Sequence, residues 1–221
     1  MINNVIFDLD GTLLDTKAGI FESIAYAAET LGYPPLPPAQ MNTFLGPPLP
    51  QSFVKNYGCS EEEAQRAAGV FRSYYQAGAM LHAKPYRGIF SLCRRLKANG
   101  IRMAVATYKR EDYALMLLKH FGFDRYCCPM HGADPENRLK KEDIVRMCQT
   151  EMQADAENCV LVGDTRHDAL GAMQAGTPFL AVTYGFGFRS EADAADYPHI
   201  GTAAKPAEIA DILLGLQNPV L

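Results

Sequence analysis

The alternation of apolar and polar positions along the chain predicts parallel strands that are separated by helices. Three apolar runs, in "NVIFD", "IRMAVATYK" and "NCVLVGD", each end in small or polar residues, a pattern that is typical of strands buried on both faces. Between them, apolar residues recur about every 3.6 positions, as at Ile89, Leu92, Cys93 and Leu96, and this spacing indicates covering helices. We therefore predict an α/β fold with a Rossmann-like parallel sheet core and helices on both faces.

Residues 16–82 interrupt this alternation with helical periodicity and little strand signal. Two amphipathic runs, "IFESIAYAAETLG" and "SEEEAQRAAGVFRSYYQAGAM", are joined by the proline-rich "YPPLPPAQ", which favours a loop between helices. The segment "HAKPYRG" then leads back to the strand and helix pattern. We predict an α/β core domain of residues 1–15 and 83–221, with an inserted all-helical cap domain of residues 16–82.

Composition and charge exclude several classes of partner. The chain has 221 residues, of which 48% are hydrophobic, and a formal net charge of −4. It therefore offers no basic field for a nucleic acid polymer or an anionic membrane. No apolar run approaches the roughly 18 to 20 residues that cross a bilayer, and no basic leader precedes the first strand. We therefore expect a soluble cytoplasmic protein. Its six scattered cysteines fit neither a metal motif nor a disulfide framework, so we expect reduced thiols.

Two acids follow the first apolar run directly. Asp8 and Asp10 stand at the predicted end of a buried strand, where an ionised carboxylate must be paired, hydrogen-bonded or bound to a metal. Thr107 and Asp164 end the other two strand patterns. Because ligands of open parallel sheets bind outside the carboxyl ends of the strands, we expect these distant segments to converge on one site.

The motifs "DLDGTLLDT", "VATYK", "LKKEDIVR" and "GDTRHDALGAMQAG" together resemble the four ordered motifs of the haloacid dehalogenase superfamily. They extend from Asp8 to Gly176 and so cover nearly all of the core. The helical insertion and the segment "FLGPPLPQSF" resemble the small helical cap of the branch that includes phosphoglycolate phosphatases and 5'-nucleotidases. The resemblance implies an enzyme that hydrolyses phosphoric monoesters.

The two acids of the first motif have separate expected roles. Asp8, fixed at a strand end, is expected to attack phosphorus as the nucleophile and to form an aspartyl-phosphate. Asp10 is expected to protonate the leaving group and then to activate water.

Asp8, Asp10, Asp164 and Asp168 would place four acids around a dianionic phosphate, and their electrostatic repulsion would be prohibitive without a counter-charge. Mg²⁺ is the expected cofactor because it is a hard cation that prefers oxygen ligands. The family pattern implies ligation by the Asp8 side chain, the Asp10 backbone carbonyl and Asp164. Asp168 is expected to bind the metal directly or through water.

Further residues are expected to hold the phosphate. Thr107 offers a hydroxyl and an adjacent backbone N–H, and the resemblance supports this role; Tyr108, Lys109 and Gly11 complete the expected substrate-binding set. For the motif lysine, the "KEDIVR" match favours Lys141 as the residue that neutralises charge between nucleophile and phosphate, with Lys140 as the alternative. Lys109 in "TYK" is expected at the rim of the site.

Two nearby features receive no catalytic role. His167 lies beside Asp168, but Asp10 already supplies the acid and base. The glycines of "VTYGFGF" do not form a GxGxxG fingerprint and are interpreted as a turn.

The leading functional hypothesis is a Mg²⁺-dependent phosphatase acting on a small phosphorylated metabolite, with phosphoglycolate first and a nucleoside 5'-monophosphate second. The helical cap is expected to exclude water and select the leaving group, and the chain is expected to be a monomer or a homodimer. A β-phosphoglucomutase-like phosphotransferase would share all four motifs. A 2-haloacid dehalogenase would not need Asp10 and Asp164, and a catalytically silent binding module would not need the acids at all.

Overall fold

The computed structural model describes residues 2–136 and 138–217. Over these residues the strands are β1 (Asn4–Phe7), β2 (Leu14–Asp15), β3 (Lys84–Pro85), β4 (Arg102–Arg110), β5 (Cys127–Ala133), β6 (Cys159–Gly163), β7 (Phe179–Val182) and β8 (Thr202–Ala203). The helices are α1 (Lys17–Thr30), α2 (Pro38–Met41), α3 (Leu49–Tyr57), α4 (Glu61–Ala77), α5 (Ile89–Ala98), α6 (Glu111–Phe121), α7 (Lys141–Met152), α8 (Arg166–Ala175), α9 (Glu191–Ala194) and α10 (Pro206–Gln217). From β3 onward, strands and helices alternate as the sequence pattern predicts.

The strands of the core form a parallel sheet in the order β5-β4-β1-β6-β7-β8. β1, the most central of the three predicted strands, lies between the other two, β4 and β6. Its four residues are all buried, which explains why the last three, Val5, Ile6 and Phe7, are apolar on both faces of the sheet and do not alternate with polar residues.

Helices cover both faces of the sheet. Ile6, Ala104 and Leu161 from the three central strands pack in one cluster with residues of α7 and α8, among them Ile144 and Ala172. Successive side chains of a strand point to opposite faces, so the buried Val5 and Phe7 lie on the other face. This arrangement confirms the predicted α/β fold with a Rossmann-like sheet.

The chain divides into two compact units, one made of Met1–Leu14 and Pro85–Leu221 and the other of Asp15–Lys84. The first contains the six-stranded sheet. The second contains α1 to α4, and its apolar core includes Ile24, Phe53 and Phe71. The helix α4 begins with a capping box in which Ser60 and Glu63 each bond the other's backbone N–H, as the "SEEEA" sequence favours. β2 and β3 pair at the two points where the chain passes from one unit to the other.

Two expectations from composition concern the rest of the described chain. None of the helices in the described residues has the length and apolar character needed to cross a bilayer. The six cysteines are free thiols, as their scattered positions predict.

Candidate active site

The register of the sheet brings the motif residues to one edge. Phe7 of β1 is aligned with Val105 of β4 and with Val162 of β6. Asp8 follows Phe7 directly, while Thr107 and Asp164 each lie two positions beyond their aligned residues. Since all three strands are parallel, these side chains belong to the same carboxyl edge, as the sequence predicts.

Three acids form a compact buried cluster at this edge. Asp8, Asp164 and Asp168 each offer a carboxylate oxygen, and these oxygens lie within 4.8 Å of one another. Their residues are between 0% and 6% exposed. Such a cluster requires counter-charge, because carboxylates this close repel one another strongly in a medium of low dielectric constant.

Lys141 supplies part of that counter-charge. Its Nζ lies 2.7 Å from Oδ1 of Asp8 and 2.6 Å from Oδ1 of Asp168, and its side chain is 2% exposed. Burial acts to lower the pKa of Lys141, but the two acids outweigh it and raise that pKa above its ordinary value. Lys140, by contrast, is exposed. Of the two candidate lysines, the structure brings Lys141 into the cluster.

The pKa values of two of the acids indicate that Lys141 does not balance the whole cluster. Burial raises the pKa of Asp8 to about 7, against the opposing effect of Lys141 and with a further increase from Asp168. Burial, followed by the charges of Asp168 and Asp8, raises the pKa of Asp164 to about 8. With Lys141 as the only cation beside the cluster in the described chain, both carboxyl groups are therefore harder to ionise than an ordinary aspartic acid.

Asp164 is oriented by backbone groups. Its Oδ2 accepts hydrogen bonds from the N–H groups of Phe186 at 2.6 Å and Gly187 at 3.1 Å, and the hydroxyl of Thr12 lies 3.5 Å from Oδ1. Among the described residues, Asp164 has no ion pair. A Cβ on Gly11, where φ is +84°, or on Gly185 would overlap the Asp164 carboxylate, so both positions require glycine.

Asp168 serves the start of α8 as well as the cluster. Its Oδ2 accepts hydrogen bonds from the backbone N–H of Thr165 at 3.0 Å and from the Thr165 hydroxyl at 2.7 Å, while the Asp168 N–H donates to that hydroxyl. This is a capping box. Since Oδ1 pairs with Lys141, both oxygens of Asp168 have partners within the protein.

Asp10 lies outside the three-acid cluster and pairs with Lys109. Nζ of Lys109 lies 3.1 Å and 2.9 Å from the two oxygens of Asp10. The Lys109 side chain is only 8% exposed and that of Asp10 is 25% exposed. The lysine expected at the rim therefore fixes the orientation of the expected acid and base.

An irregularity in β4 explains how consecutive residues of "TYK" reach different partners. The pairing of β4 with β5 shifts register between Ala106 and Arg110, since these residues face His131 and Ala133, only two positions apart. Such bulges re-aim side chains and are common beside active sites. Within it, the buried Thr107 hydroxyl accepts a hydrogen bond from the Lys109 N–H at 3.2 Å.

Tyr108 emerges from the same irregularity and meets His167 of α8. Their rings are 5.9 Å apart between centroids, in an edge-on arrangement at 82°, and Tyr108 is 41% exposed. Burial, together with the neighbouring charge of Arg166, lowers the pKa of His167, which favours a neutral imidazole near neutral pH.

Three contributions to the site were not identified from the sequence. The "YGFGF" segment does more than turn the chain, because its backbone holds Asp164. Gly171 of α8 leaves room for Lys141, whose stem a Cβ at that position would overlap. His167 contacts Tyr108. The position of "YGFGF" directly after a strand, at the same sheet edge, was the available signal for the first.

Curated proteins with similar sequences carry several enzyme names. A 5'-nucleotidase of Pseudomonas aeruginosa is 35% identical over 189 residues, which cover 85% of this chain and 86% of the relative. The tyrosine-protein kinase PtkA of Mycobacterium tuberculosis is 34% identical over 83% of this chain, but this alignment covers only 62% of the kinase. A phosphoglycolate phosphatase of Agrobacterium fabrum is 30% identical, with 82% of this chain and 80% of the relative covered.

Structural similarity extends over nearly the whole chain. A haloacid dehalogenase-like hydrolase, SP0104 of Streptococcus pneumoniae, superimposes with a TM-score of 0.88 at 31% identity, covering 96% of this chain and 98% of that protein. The family model described as haloacid dehalogenase-like hydrolase matches residues 5–182, a range that includes all four motifs. The chain therefore belongs to the haloacid dehalogenase-like hydrolase family.

Proposed function

We propose that this protein is a Mg²⁺-dependent phosphatase that hydrolyses a small phosphate monoester through an aspartyl-phosphate on Asp8. The observation that carries the proposal is the cluster of three buried carboxylates with one lysine at the carboxyl edge of β1. Buried acids that are held in fixed positions at a sheet edge, and whose pKa values are raised toward neutral pH, are typical of a catalytic site.

The donor set fits magnesium. Asp8, Asp164 and Asp168 carry three negative charges when ionised and Lys141 returns one, so a divalent cation would neutralise the cluster. All candidate ligands are oxygens, which Mg²⁺ prefers. Asp8 and Asp164 would hold the ion directly together with the backbone carbonyl of Asp10. Asp168, whose two oxygens are engaged by Lys141 and Thr165, would act through water. When bound, the ion supplies charge neutralisation for the nucleophile and the phosphate oxygens.

The proposed reaction has two steps on this chain. An oxygen of Asp8 attacks phosphorus, the bond from phosphorus to the ester oxygen breaks, and Asp10 gives that oxygen a proton. Water then attacks the aspartyl-phosphate as Asp10 takes a proton from it, which releases phosphate and restores Asp8.

Other residues of the site would hold the reacting groups. The Thr107 hydroxyl and the adjacent N–H, with Gly11 at the opposite turn, would contact phosphate oxygens. Lys141 keeps Asp8 in position, and Lys109 does the same for Asp10.

Two substrates lead the list of candidates. Relatives named phosphoglycolate phosphatase and 5'-nucleotidase support phosphoglycolate and a nucleoside 5'-monophosphate respectively. The proposed setting is the cytoplasm, with a small phosphorylated metabolite as the partner and a monomer or a homodimer as the working form. The same site residues would also suit a phosphotransferase that moves phosphate between positions of a sugar. Hydrolysis releases inorganic phosphate, whereas this phosphotransfer does not.

The test is a panel of phosphate esters with and without Mg²⁺, in which inorganic phosphate is measured. We expect release that requires Mg²⁺, is lost after chelation with EDTA, and is nearly abolished in Asp8→Asn. Circular dichroism of that variant should show an intact fold. Conversion of a sugar phosphate to an isomer without phosphate release would replace the phosphatase assignment by a phosphotransferase. A folded protein that releases phosphate from no ester would end the proposal.

A further inference from the structure

The contact between Tyr108 and His167 has a place in the fold that the proposed reaction does not explain. Tyr108 belongs to β4 and His167 to the first turn of α8, which follows β6. In the sheet, β4 and β6 flank β1. Neighbouring strands are about 4.8 Å apart, so the two flanking strands are separated by roughly 10 Å. The two rings therefore join the flanking segments across the end of the strand that carries Asp8; we call this pair the aromatic bridge.

The bridge is not part of the hydrophobic core. Tyr108 is 41% exposed, although an aromatic ring gains most from complete burial. Tyr108 lies within the register shift between Ala106 and Arg110 of β4, where the regular pleat is interrupted. The edge-on contact with His167 at 82° then fixes the tyrosine ring with one part of its surface open to solvent.

A rigid, half-exposed aromatic ring beside a phosphate site suits one kind of leaving group. Tyrosine offers a large contact area with few rotatable bonds, so little entropy is lost when it binds a ligand. Planar rings of a ligand stack on it or meet it edge-on. A glycolate leaving group has no ring to place against Tyr108.

We propose that the aromatic bridge receives the ring of the leaving group, so that phosphate monoesters of ring-bearing alcohols, such as nucleoside 5'-monophosphates, are preferred to phosphoglycolate. This inference rests on the proposed phosphatase function and chooses between its two substrate classes. Specificity would then arise partly from residues 108 and 167 of the core unit.

The experiment compares kcat/KM for AMP, p-nitrophenyl phosphate and phosphoglycolate in the wild type, Tyr108→Ser and Tyr108→Phe. We expect the wild type to favour the two ring-bearing esters. Tyr108→Ser should lower kcat/KM for them about tenfold, the size of one lost stacking contact. The loss should appear in KM, because the contact exists before and during the reaction. Phosphoglycolate hydrolysis should fall less than hydrolysis of the two ring-bearing esters, so the ratio of kcat/KM between the esters should drop, whereas Tyr108→Phe should retain the preference. Replacing the partner ring, in His167→Asn, should reduce the same preference by loosening Tyr108.

The outcomes separate this inference from the function on which it rests. An equal loss on all three esters in Tyr108→Ser, or a wild type that prefers phosphoglycolate, would overturn the aromatic bridge while leaving the phosphatase in place. Absence of phosphate release by the wild type from every ester would overturn the proposed function itself. Thermal unfolding of each variant identifies a loss that comes from misfolding, and the ratio between esters within one variant is independent of the folded fraction.

Discussion

Replacement of Lys141 by methionine should destabilise the protein far more than the same change at Lys140. Methionine keeps an unbranched stem of similar length over Gly171 but removes the ammonium that lies 2.7 Å from Asp8 and 2.6 Å from Asp168. Both acids stay buried, with side chains 9% and 3% exposed. Breaking a buried ion pair by removing one partner costs about 3–5 kcal/mol, because the other charge is left uncompensated.

That loss of free energy has a measurable size. For a chain of this length each kcal/mol lowers the melting temperature by about 2–4 °C, so Lys141→Met should melt roughly 6–20 °C below the wild type. Lys140→Met, at an exposed neighbouring position of the same helix start, should melt close to the wild type. The assay is thermal unfolding by circular dichroism in EDTA, repeated with Mg²⁺.

Magnesium should reduce the difference, since a divalent cation can neutralise the acids that Lys141 no longer pairs. Equal melting temperatures for the two variants in EDTA would refute the inference that Lys141 balances the buried acids. A deficit in Lys141→Met that Mg²⁺ leaves unchanged would refute the view that the ion and the lysine neutralise the same cluster.

Three further predictions concern single substitutions. Gly171→Ala should impair phosphate release and stability, because the new Cβ would overlap the stem of Lys141. The control is Gly69→Ala on α4, where a Cβ meets nothing within 4 Å, and this variant should be neutral or stabilising. Phosphate-release kinetics and melting curves compare the two variants. Asp10→Asn should lower kcat by about 10² to 10⁴ without loss of fold, and an unchanged kcat would exclude Asp10 as the acid and base. Asp134 accepts hydrogen bonds from backbone N–H groups that hold its pKa below the usual range, so its stabilisation is complete above about pH 4 and is lost as the pH falls through the folded-state pKa. Urea unfolding should therefore show Asp134→Asn less stable than the wild type at pH 6, with a difference that shrinks toward pH 2.

The fold was predictable because its determinants are local and repeated. The apolar runs that became β1, β4 and β6 are continuous, and a strand buried on both faces allows little else. The inserted helices were indicated by periodicity and by the capping sequence before α4. The position of the acids at one sheet edge followed from the parallel arrangement alone.

The finer structure of the site was less predictable because it depends on contacts between distant segments. The sequence favoured Lys141 over Lys140, but only the direction of each side chain at the start of α7 separates them. The pairing of Lys109 with Asp10 depends on a register shift between β4 and β5. No local sequence pattern predicts that register shift. The backbone N–H groups of Phe186 and Gly187 support Asp164 without using a side-chain atom of either residue, although a Cβ at position 187 would overlap the backbone oxygen of Asp164.

The double engagement of Asp168 ties secondary structure to chemistry in a single side chain. One of its oxygens begins α8 and the other balances Lys141. Replacing Asp168 with alanine would remove the helix cap and leave a buried charge unbalanced in the same event, so loss of this side chain carries two independent penalties. Asparagine could still cap the helix but would leave the ammonium with one acid partner, whereas glutamate would keep the charge but displace it by a methylene group. Aspartate alone satisfies both requirements, so this position should tolerate few substitutions. Its identity is therefore a sensitive indicator of whether a distant homologue keeps the same architecture.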